Sequence, residues 1–340
     1  MTIYINGKFL CQQQTGTQIY AWSMLDAMRL QNIDFTVLSP KAIHLPNMFT
    51  GLKIGFFKQL NMWEQVSLPL FLLGKKDVLL INFTNSAPLF GPKQIVTVHD
   101  LAFEQKGVSW FTKGFRTWYR FLIPRLCQGA SLIFTVSEFS KQEIIKSYKV
   151  SPNKIKVVPN VLPDLSEIAD RQFQEDYLLV VSAENPRKNA KFVESQLDLI
   201  QAKGLKLIVV STHSTHFKEQ QLSPHPALIQ LNYQSNTHYY SLLKHAKALI
   251  YLSTYEGFGI PILESLCLNT PVICLELPVF RESFGDAPIY LNELSSNAFK
   301  NALRRLETLK LDESSLQKLR SKHSLNVSGE AILNSIHALT

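Results

Sequence analysis

One segment of the sequence places two glutamates around a glycine-rich turn, a spacing that suits phosphate and sugar chemistry. It begins at Tyr255 and reads Tyr-Glu-Gly-Phe-Gly-Ile-Pro-Ile-Leu-Glu, between an apolar run typical of a strand and a Leu-rich run typical of a helix. Pro261 suits the first turn of that helix. Gly257 and Gly259 let the backbone approach a ligand closely, and the N–H groups at a helix N-terminus favour a phosphate. The segment predicts a phosphate-binding turn, and a tight turn with solvated glutamates is the alternative.

Three more side chains point to a nucleotide ligand. Glu264 lies about one turn inside the predicted helix, where its carboxylate would repel a phosphate but can accept hydrogen bonds from ribose or sugar hydroxyl groups. Arg187 and Lys188 follow a second strand-like run, 177–181. Because ligands of open α/β sheets bind beyond the carboxyl ends of strands, these adjacent cations can neutralise a diphosphate there. A solvated basic turn at a helix start is the alternative.

Motifs that the chain lacks narrow the chemistry. There is no Asp-x-Asp, so no obvious carboxylate pair is present to hold a metal on the phosphates. Arg187 and Lys188 are therefore expected to take the place of a metal in stabilising a departing nucleoside diphosphate. Neither G-x-G-x-x-G nor G-x-x-x-x-G-K-[ST] occurs, which argues against a standard NAD-type dehydrogenase and a P-loop NTPase.

The elements that must position these segments alternate between short β-rich runs and amphipathic helical runs, which is typical of an α/β protein with parallel sheets. A polar stretch at 163–176 separates two such series, and a length of 340 residues suits two domains. We predict a domain boundary in this stretch, with an N-terminal domain at 1–165 and a C-terminal domain at 176–325.

Composition sets the broad class of the protein. Hydrophobic residues make up 46% of the chain and charged residues 18%, which is typical of a packed globular fold rather than of disorder. The net charge of +8 favours partners that carry negative charge. The four cysteines include no C-x-x-C pair, and the N-terminus resembles a strand rather than a signal peptide, so a cytoplasmic location is expected. The longest apolar stretch is too short to span a bilayer, and no transmembrane helix is expected.

Taken together and in this order, the motifs resemble those of a known enzyme family. The segments around Arg187 and from Glu256 to Glu264, with Gly285-Asp-Ala after them, resemble the sugar-nucleotide half of retaining family 4 glycosyltransferases with the GT-B fold. The first half of the chain is similar to the bacterial mannosyltransferase-like branch in the following segments: 5–10, 15–16, 63–65, 68–69, 99–101, 136–140 and 158–160. The resemblance implies two Rossmann-like parallel-sheet domains facing across a cleft. The domain at 1–165 would be the acceptor-side domain, and the domain at 176–325 would bind the nucleotide sugar. Residues 326–340 would form a C-terminal helix that packs back on the N-terminal domain.

The resemblance also implies site residues. His99 would lie near the transferred sugar and the acceptor, although a lone histidine is often structural, and Glu256 would contact the sugar ring. Gly16 would lie in the loop after the first strand, whose backbone approaches the phosphate of the sugar nucleotide. The remaining implied contacts are Arg187 and Lys188 to the diphosphate, Gly257 and Phe258 to a phosphate through backbone N–H groups next to Gly259, and Glu264 to the ribose. No metal and no cofactor are implied.

The function implied is transfer of a hexose with retention to a growing, lipid-linked cell-surface polysaccharide such as O-antigen or capsule. GDP-mannose is the first candidate for the sugar nucleotide. A non-catalytic glycosyltransferase-like partner subunit is the alternative, and no nucleic acid is expected as a partner because no recognised binding module occurs. The chain departs from the branch pattern where Ile19 replaces an arginine after Gln18, where Asn269 replaces a common glycine, and where Val161 follows Asn160 without one.

The stretch from Trp110 to Arg125 mixes six aromatic residues with four cations. Aromatic and basic residues at helical spacing suit an interfacial helix on an anionic membrane. A helix that turns its aromatics into the core and leaves its cations outside is the alternative, and the sequence leaves both open. The first hypothesis would place the protein peripherally on the inner face of the plasma membrane.

Overall fold

The computed structural model describes residues 1–42, 49–55, 57–108, 110–165, 168–181, 185–211 and 222–340. Their contacts divide the chain into two compact units. The first comprises residues 1–104, 114–161 and 322–340, and the second comprises 105–113 and 162–321. No helix among these residues is long and apolar enough to cross a membrane.

A parallel sheet of seven strands forms the centre of the first unit. The strands are β1 (Thr2–Asn6), β2 (Thr36–Ser39), β3 (Thr50–Lys53), β4 (Val78–Asn82), β5 (Lys93–Thr97), β6 (Leu132–Thr135) and β7 (Ile155–Val157). Their order is β3-β2-β1-β4-β5-β6-β7, so the order reverses at β1. Every residue of β4 is buried, as expected for a parallel strand that is covered on both faces.

Helices cover this sheet. They are α1 (Gly16–Leu30), α2 (Leu60–Met62), α3 (Leu68–Leu72), α4 (Lys113–Gly129), α5 (Glu138–Tyr148) and, at the end of the chain, α13 (Leu325–His337). A π-helical segment, Trp63–Ser67, joins α2 to α3. Helix α13 packs against α1, and a Cβ at Gly329 would lie 2.6 Å from the Ala27 carbonyl oxygen, so a larger residue would separate the two helices.

The second unit has a parallel sheet of six strands. They are β8 (Tyr177–Val181), β9 (Lys206–Ser211), β10 (Leu228–Asn232), β11 (Ala248–Tyr251), β12 (Val272–Leu275) and β13 (Ile289–Leu291), in the order β10-β9-β8-β11-β12-β13. Its helices are α6 (Ala190–Glu194), α7 (Leu197–Ala202), α8 (Asn236–His245), α9 (Ile260–Cys267), α10 (Pro278–Phe284), α11 (Ser296–Thr308) and α12 (Glu313–Lys322).

The predicted fold class, α/β with two Rossmann-like parallel sheets, is confirmed. The strand-like run at 177–181 forms β8, and the apolar run before Tyr255 forms β11. Strand β3 has no such apolar run, because its four residues, Thr-Gly-Leu-Lys, are all exposed at the edge of the sheet. A strand that buries nothing has no hydrophobic pattern from which to predict it.

Candidate active site

The carboxyl ends of β8 and β11 lie side by side where the strand order of the second sheet reverses. In open α/β sheets, ligands bind at this position. After β8, a short 3-10 turn carries Arg187 and Lys188. The turn is tied to the segment after β11, because the Arg187 carbonyl accepts from Thr254 N at 3.0 Å and Asn189 Nδ2 donates to the Leu252 carbonyl at 2.7 Å. These bonds hold the two predicted cations beside the second predicted segment.

Glu256 is the centre of the resulting cluster and is 7% exposed. Lys188 Nζ lies 2.5 Å from Glu256 Oε1, and Arg187 Nη2 lies 3.4 Å from Oε2. Ser253 Oγ and the Tyr251 hydroxyl also donate to Oε1, at 2.7 and 3.0 Å. We call Arg187, Lys188 and Glu256 the charge cluster.

The charge cluster has a defined ionisation state. Burial alone would raise the pKa of Glu256, but the positive charges of Arg187 and Lys188 outweigh burial and lower this pKa to about 2. The carboxylate is therefore ionised at neutral pH and can only accept hydrogen bonds. Two cations and one anion leave the cluster with a net positive charge, which attracts an anionic ligand.

The glycine-rich segment follows the cluster directly. Gly259 caps the N-terminus of α9 at φ +108°, a left-handed conformation, and a Cβ there would lie 2.9 Å from the Phe280 ring. Phe258 is buried and packs its ring 5.3 Å from that of Phe284. Gly257 is buried too. The phosphate contacts of these three residues stay a prediction.

Glu264 lies in α9 and is 3% exposed. The Tyr239 hydroxyl donates to its Oε2 at 2.7 Å, and the Tyr240 hydroxyl donates to its Oε1 at 3.3 Å. Burial raises the pKa of Glu264 to about 7, although the two tyrosine hydroxyls oppose that rise. Glu264 thus changes its charge near neutral pH, unlike Glu256.

The affinity for a sugar nucleotide, whose diphosphate is esterified at both ends and does not titrate in this range, is expected to weaken as the pH falls through about 7. The reason is that ribose hydroxyl groups donate best to ionised Glu264. The loss is expected to reach up to about tenfold for each pH unit below that value. The same raised pKa lowers the stability of the unliganded protein as pH rises from 4.5, the ordinary value, to about 7. Calorimetric titration over this range checks the affinity. A Glu264→Gln variant should give a flat profile, and a flat wild-type profile would remove Glu264 from the ribose site.

Two predicted site residues lie in the first unit. Gly16 is the first residue of α1, after the Thr15 N-cap, so its predicted position in a loop is corrected to a helix N-terminus. His99 lies beyond the end of β5, is 8% exposed, and has its ring 4.7 Å from the Tyr20 ring on α1. The Phe83 carbonyl accepts from His99 Nε2 at 3.0 Å. Burial lowers the pKa of His99 despite this hydrogen bond, so its imidazole is neutral at pH 7.

The structure therefore joins Arg187, Lys188 and Glu256 in direct contact, and it places Glu264 on the helix that follows. Sequence reasoning missed the tyrosines that hold the two glutamates. Tyr251 ends β11 and contacts both Lys188 Nζ and Glu256. The signal that could have found it is its polar hydroxyl at the carboxyl end of an otherwise apolar strand.

The stretch from Trp110 to Arg125 includes Trp110, which precedes α4, and most of α4 itself. Trp110 precedes α4 and its ring lies 6.4 Å from that of Tyr255 within the second unit. On α4, the ring of Tyr119 stacks on that of Phe115 with 4.1 Å between their centres, and both side chains are half-buried. The hypothesis that the aromatics of this helix fill the core is therefore wrong for these two residues. The buried residues of α4 are instead Leu122, Ile123, Leu126 and Cys127.

The cations of α4 have contacts within the first unit. Arg116 Nε donates to the Phe103 carbonyl at 3.0 Å, and Arg120 forms an ion pair with Glu104 at 3.0 Å. Further along, Phe121 is 43% exposed and the Arg125 guanidinium lies 3.8 Å from its ring centre. An exposed aromatic and basic pair remains on the helix surface.

Comparison with known protein families decides where the chain belongs. Residues 15–163 match the family described as Glycosyltransferase Family 4, and residues 165–323 match that described as Glycosyl transferases group 1. The two matches follow one another along nearly the whole chain. The chain belongs to the family 4 glycosyltransferases.

Individual relatives agree with this assignment. The chain is 30% identical over 222 residues to the O-antigen chain mannosyltransferase RfbU of Salmonella typhimurium, covering 64% of this chain and 61% of that protein. It is 26% identical over 180 residues to O-antigen chain mannosyltransferase B of Escherichia coli, covering 47% of each. The matches therefore span about half to three fifths of these relatives.

A glycosyltransferase structure from Rickettsia africae superposes with a TM-score of 0.67 at 13% identity, covering 98% of this chain and 97% of that one. This likeness supports the GT-B fold.

Proposed function

We propose that the protein transfers a hexose, with mannose from GDP-mannose as the first candidate, to a growing lipid-linked polysaccharide such as O-antigen. The transfer is proposed to retain the anomeric configuration. The observation that carries the proposal is the charge cluster, which presents two cations and an ionised carboxylate where the sheet order reverses. The names of the relatives suggest mannose and O-antigen.

In this proposal Arg187 and Lys188 contact the diphosphate and stabilise the charge that grows on it as the bond to the sugar breaks. Glu256 is ionised, so it accepts a hydrogen bond from a sugar hydroxyl and stabilises the positive charge that develops on the ring. Following the family resemblance, the acceptor oxygen bonds to the anomeric carbon on the face that the diphosphate leaves. The acceptor proton passes to an oxygen of the departing diphosphate, so no enzyme nucleophile is required.

The assay for this function uses purified protein, radiolabelled GDP-mannose and a lipid-linked glycan acceptor. We expect label in the lipid fraction together with GDP release that depends on the acceptor. NMR of the product should show the same anomeric configuration as the sugar nucleotide. Tight binding of GDP-mannose without any transfer would instead support the non-catalytic partner subunit.

Activity is expected to persist in EDTA. The reason is that the chain has no Asp-x-Asp motif, while Arg187 and Lys188 supply positive charge for the diphosphate. Initial rates with and without excess EDTA check this. A complete loss of rate that added metal restores would contradict the assignment of the two cations.

The proposed acceptor is lipid-linked, and the surface of α4 offers a route to it. Phe121 is exposed, Trp118 lies 5.9 Å from it, and Arg125 covers one ring face. An exposed aromatic group beside a cation suits the interface of an anionic membrane. The proposed location is therefore cytoplasmic, with peripheral attachment to the inner face of the plasma membrane.

A double variant, Phe121→Ala with Arg125→Gln, is expected to reduce binding to anionic vesicles by more than about fivefold, since one cation near the surface contributes about 1 kcal/mol. Arg116 and Arg120 are left unchanged because they hold α4 to Phe103 and Glu104. Flotation with phosphatidylglycerol vesicles at low salt measures binding, and Lys146→Gln on α5 is the control. If wild type and double variant float equally, or neither floats, this surface of α4 is not the membrane contact.

A further inference from the structure

A buried polar network lies at the carboxyl ends of β1 and β4, and the proposed function makes no use of it. Lys8 and Glu64 form its centre, with Lys8 Nζ 2.8 Å from Glu64 Oε2 and exposed fractions of 4% and 1%. Asn6 Nδ2 donates to Glu64 Oε1 at 2.9 Å, and Lys8 Nζ also donates to Asn61 Oδ1 at 2.9 Å. These donors hold the Glu64 carboxylate in one orientation.

The network forms hydrogen bonds to the loop of residues 83–89, which follows β4. Ser86 Oγ donates to Glu64 Oε1 at 2.9 Å. The neighbouring Gln65 binds the loop twice, since its Nε2 donates to the Ala87 carbonyl at 2.9 Å and its Oε1 accepts from Leu89 N at 3.0 Å. Two side chains of the π-helical segment therefore fix the second half of this loop.

The first half of the same loop holds His99. Asn85 Oδ1 accepts from His99 N at 2.7 Å, and the Phe83 carbonyl is 3.0 Å from His99 Nε2. A carbonyl oxygen can only accept, so Nε2 of the neutral ring carries the proton and Nδ1 is the acceptor. The loop thus selects the tautomer and the orientation of the imidazole.

We propose that Glu64 is a positioning residue for His99, acting through Ser86 and the loop 83–89. This inference rests on the proposed function and on the position near the transferred sugar and the acceptor that the family resemblance implies for His99. Glu64 itself is too deeply buried to touch a substrate. A buried ion pair typically adds little stability over a well-packed apolar pair, whereas it can enforce one arrangement of the groups around it. The hydrogen bond from Ser86 connects Glu64 to the loop, and the loop in turn hydrogen-bonds His99.

The test compares two alanine variants of the same network. Ser86→Ala removes the bond between Glu64 and the loop, while Asn61→Ala removes a bond to Lys8 without touching the loop. Imidazole ¹⁵N shifts of His99, assigned with a His99→Gln variant, report its tautomer in the unliganded protein. Steady-state kinetics with the sugar nucleotide report kcat and KM.

We expect Ser86→Ala to mix the two tautomers of His99 and to lower kcat by about tenfold, with KM for the sugar nucleotide within about twofold. Asn61→Ala should match the wild type in both measurements. Glu64→Gln keeps one oxygen as an acceptor, but its NH2 group would face a hydrogen-bond donor, either Lys8 Nζ or Asn6 Nδ2. This variant should resemble Ser86→Ala. A Ser86→Ala protein with the wild-type tautomer and kcat would overturn the proposal, as would equal losses in Ser86→Ala and Asn61→Ala. If the wild type transfers no sugar, the proposed function fails, while the tautomer comparison still decides whether the network positions His99.

Discussion

Replacing Glu256 by glutamine is expected to lower kcat by more than about tenfold while strengthening the binding of a free nucleoside diphosphate. The carboxylate is ionised and contacts both Lys188 and Arg187, so in the unliganded protein it competes with a diphosphate for their charge. The amide keeps the shape of the side chain but neither stabilises positive charge on a sugar ring nor neutralises the cations. Opposite changes in turnover and nucleotide affinity are therefore predicted, measured by initial rates and by calorimetry.

The matched control is Glu307→Gln, which removes an exposed carboxylate paired with Lys203 at 2.7 Å on the same unit. It should leave both quantities unchanged. Because Glu256→Gln leaves the buried Lys188 and the partly buried Arg187 without a counter-charge, the unfolding free energy should fall by about 3 kcal/mol. The ligand should restore part of that loss. Near-normal turnover, or nucleotide affinity that falls together with kcat, would contradict the role given to Glu256.

Replacing Lys188 by methionine is expected to lower kcat by more than about tenfold and to weaken the binding of the sugar nucleotide. Methionine fills similar space without the charge, which leaves Arg187 alone to oppose the diphosphate. The fold should survive because Glu256 still has the ion pair with Arg187 at 3.4 Å. It also still accepts hydrogen bonds from Ser253 and Tyr251. Kinetics and calorimetry at matched salt concentration measure both effects.

Lys191→Met is the control for this variant. Lys191 lies three residues further along on α6, is 48% exposed and pairs with Glu194, so losing it should change neither kcat nor affinity. Wild-type turnover in Lys188→Met, or equal losses in the two variants, would mean that the turn after β8 does not bind the diphosphate.

The parts of this molecule that follow a local rule are visible in its sequence. Apolar runs separated by amphipathic helices predict both parallel sheets. Two segments, one with Arg187 and Lys188 and the other with Glu256, are each recognisable on their own. Their contact follows from topology, because β8 and β11 are neighbours at the strand reversal. Strand β3, which is exposed along its whole length, carries no such pattern.

Contacts between distant positions are the part that could not be predicted. Lys8 and Glu64 are 56 residues apart in sequence, and neither hydrophobic periodicity nor charge spacing joins them. The same holds for Tyr239 and Glu264, whose hydrogen bond depends on how α8 and α9 pack. On α4 the composition favours aromatics as the buried or membrane-facing group, but the residues that the core buries follow the last aromatic on the helix and are Leu122, Ile123, Leu126 and Cys127.

Thermal unfolding of the wild type and of Lys188→Met with a panel of sugar nucleotides tests the central claim most directly. At about 100 times its dissociation constant, a bound sugar nucleotide adds about 2.7 kcal/mol to the unfolding free energy. We predict that GDP-mannose raises the melting temperature of the wild type, and that the same concentration has a clearly smaller effect on Lys188→Met. If no sugar nucleotide in the panel stabilises the wild type, or if both proteins respond equally, the claim that the charge cluster binds a nucleoside diphosphate sugar is wrong.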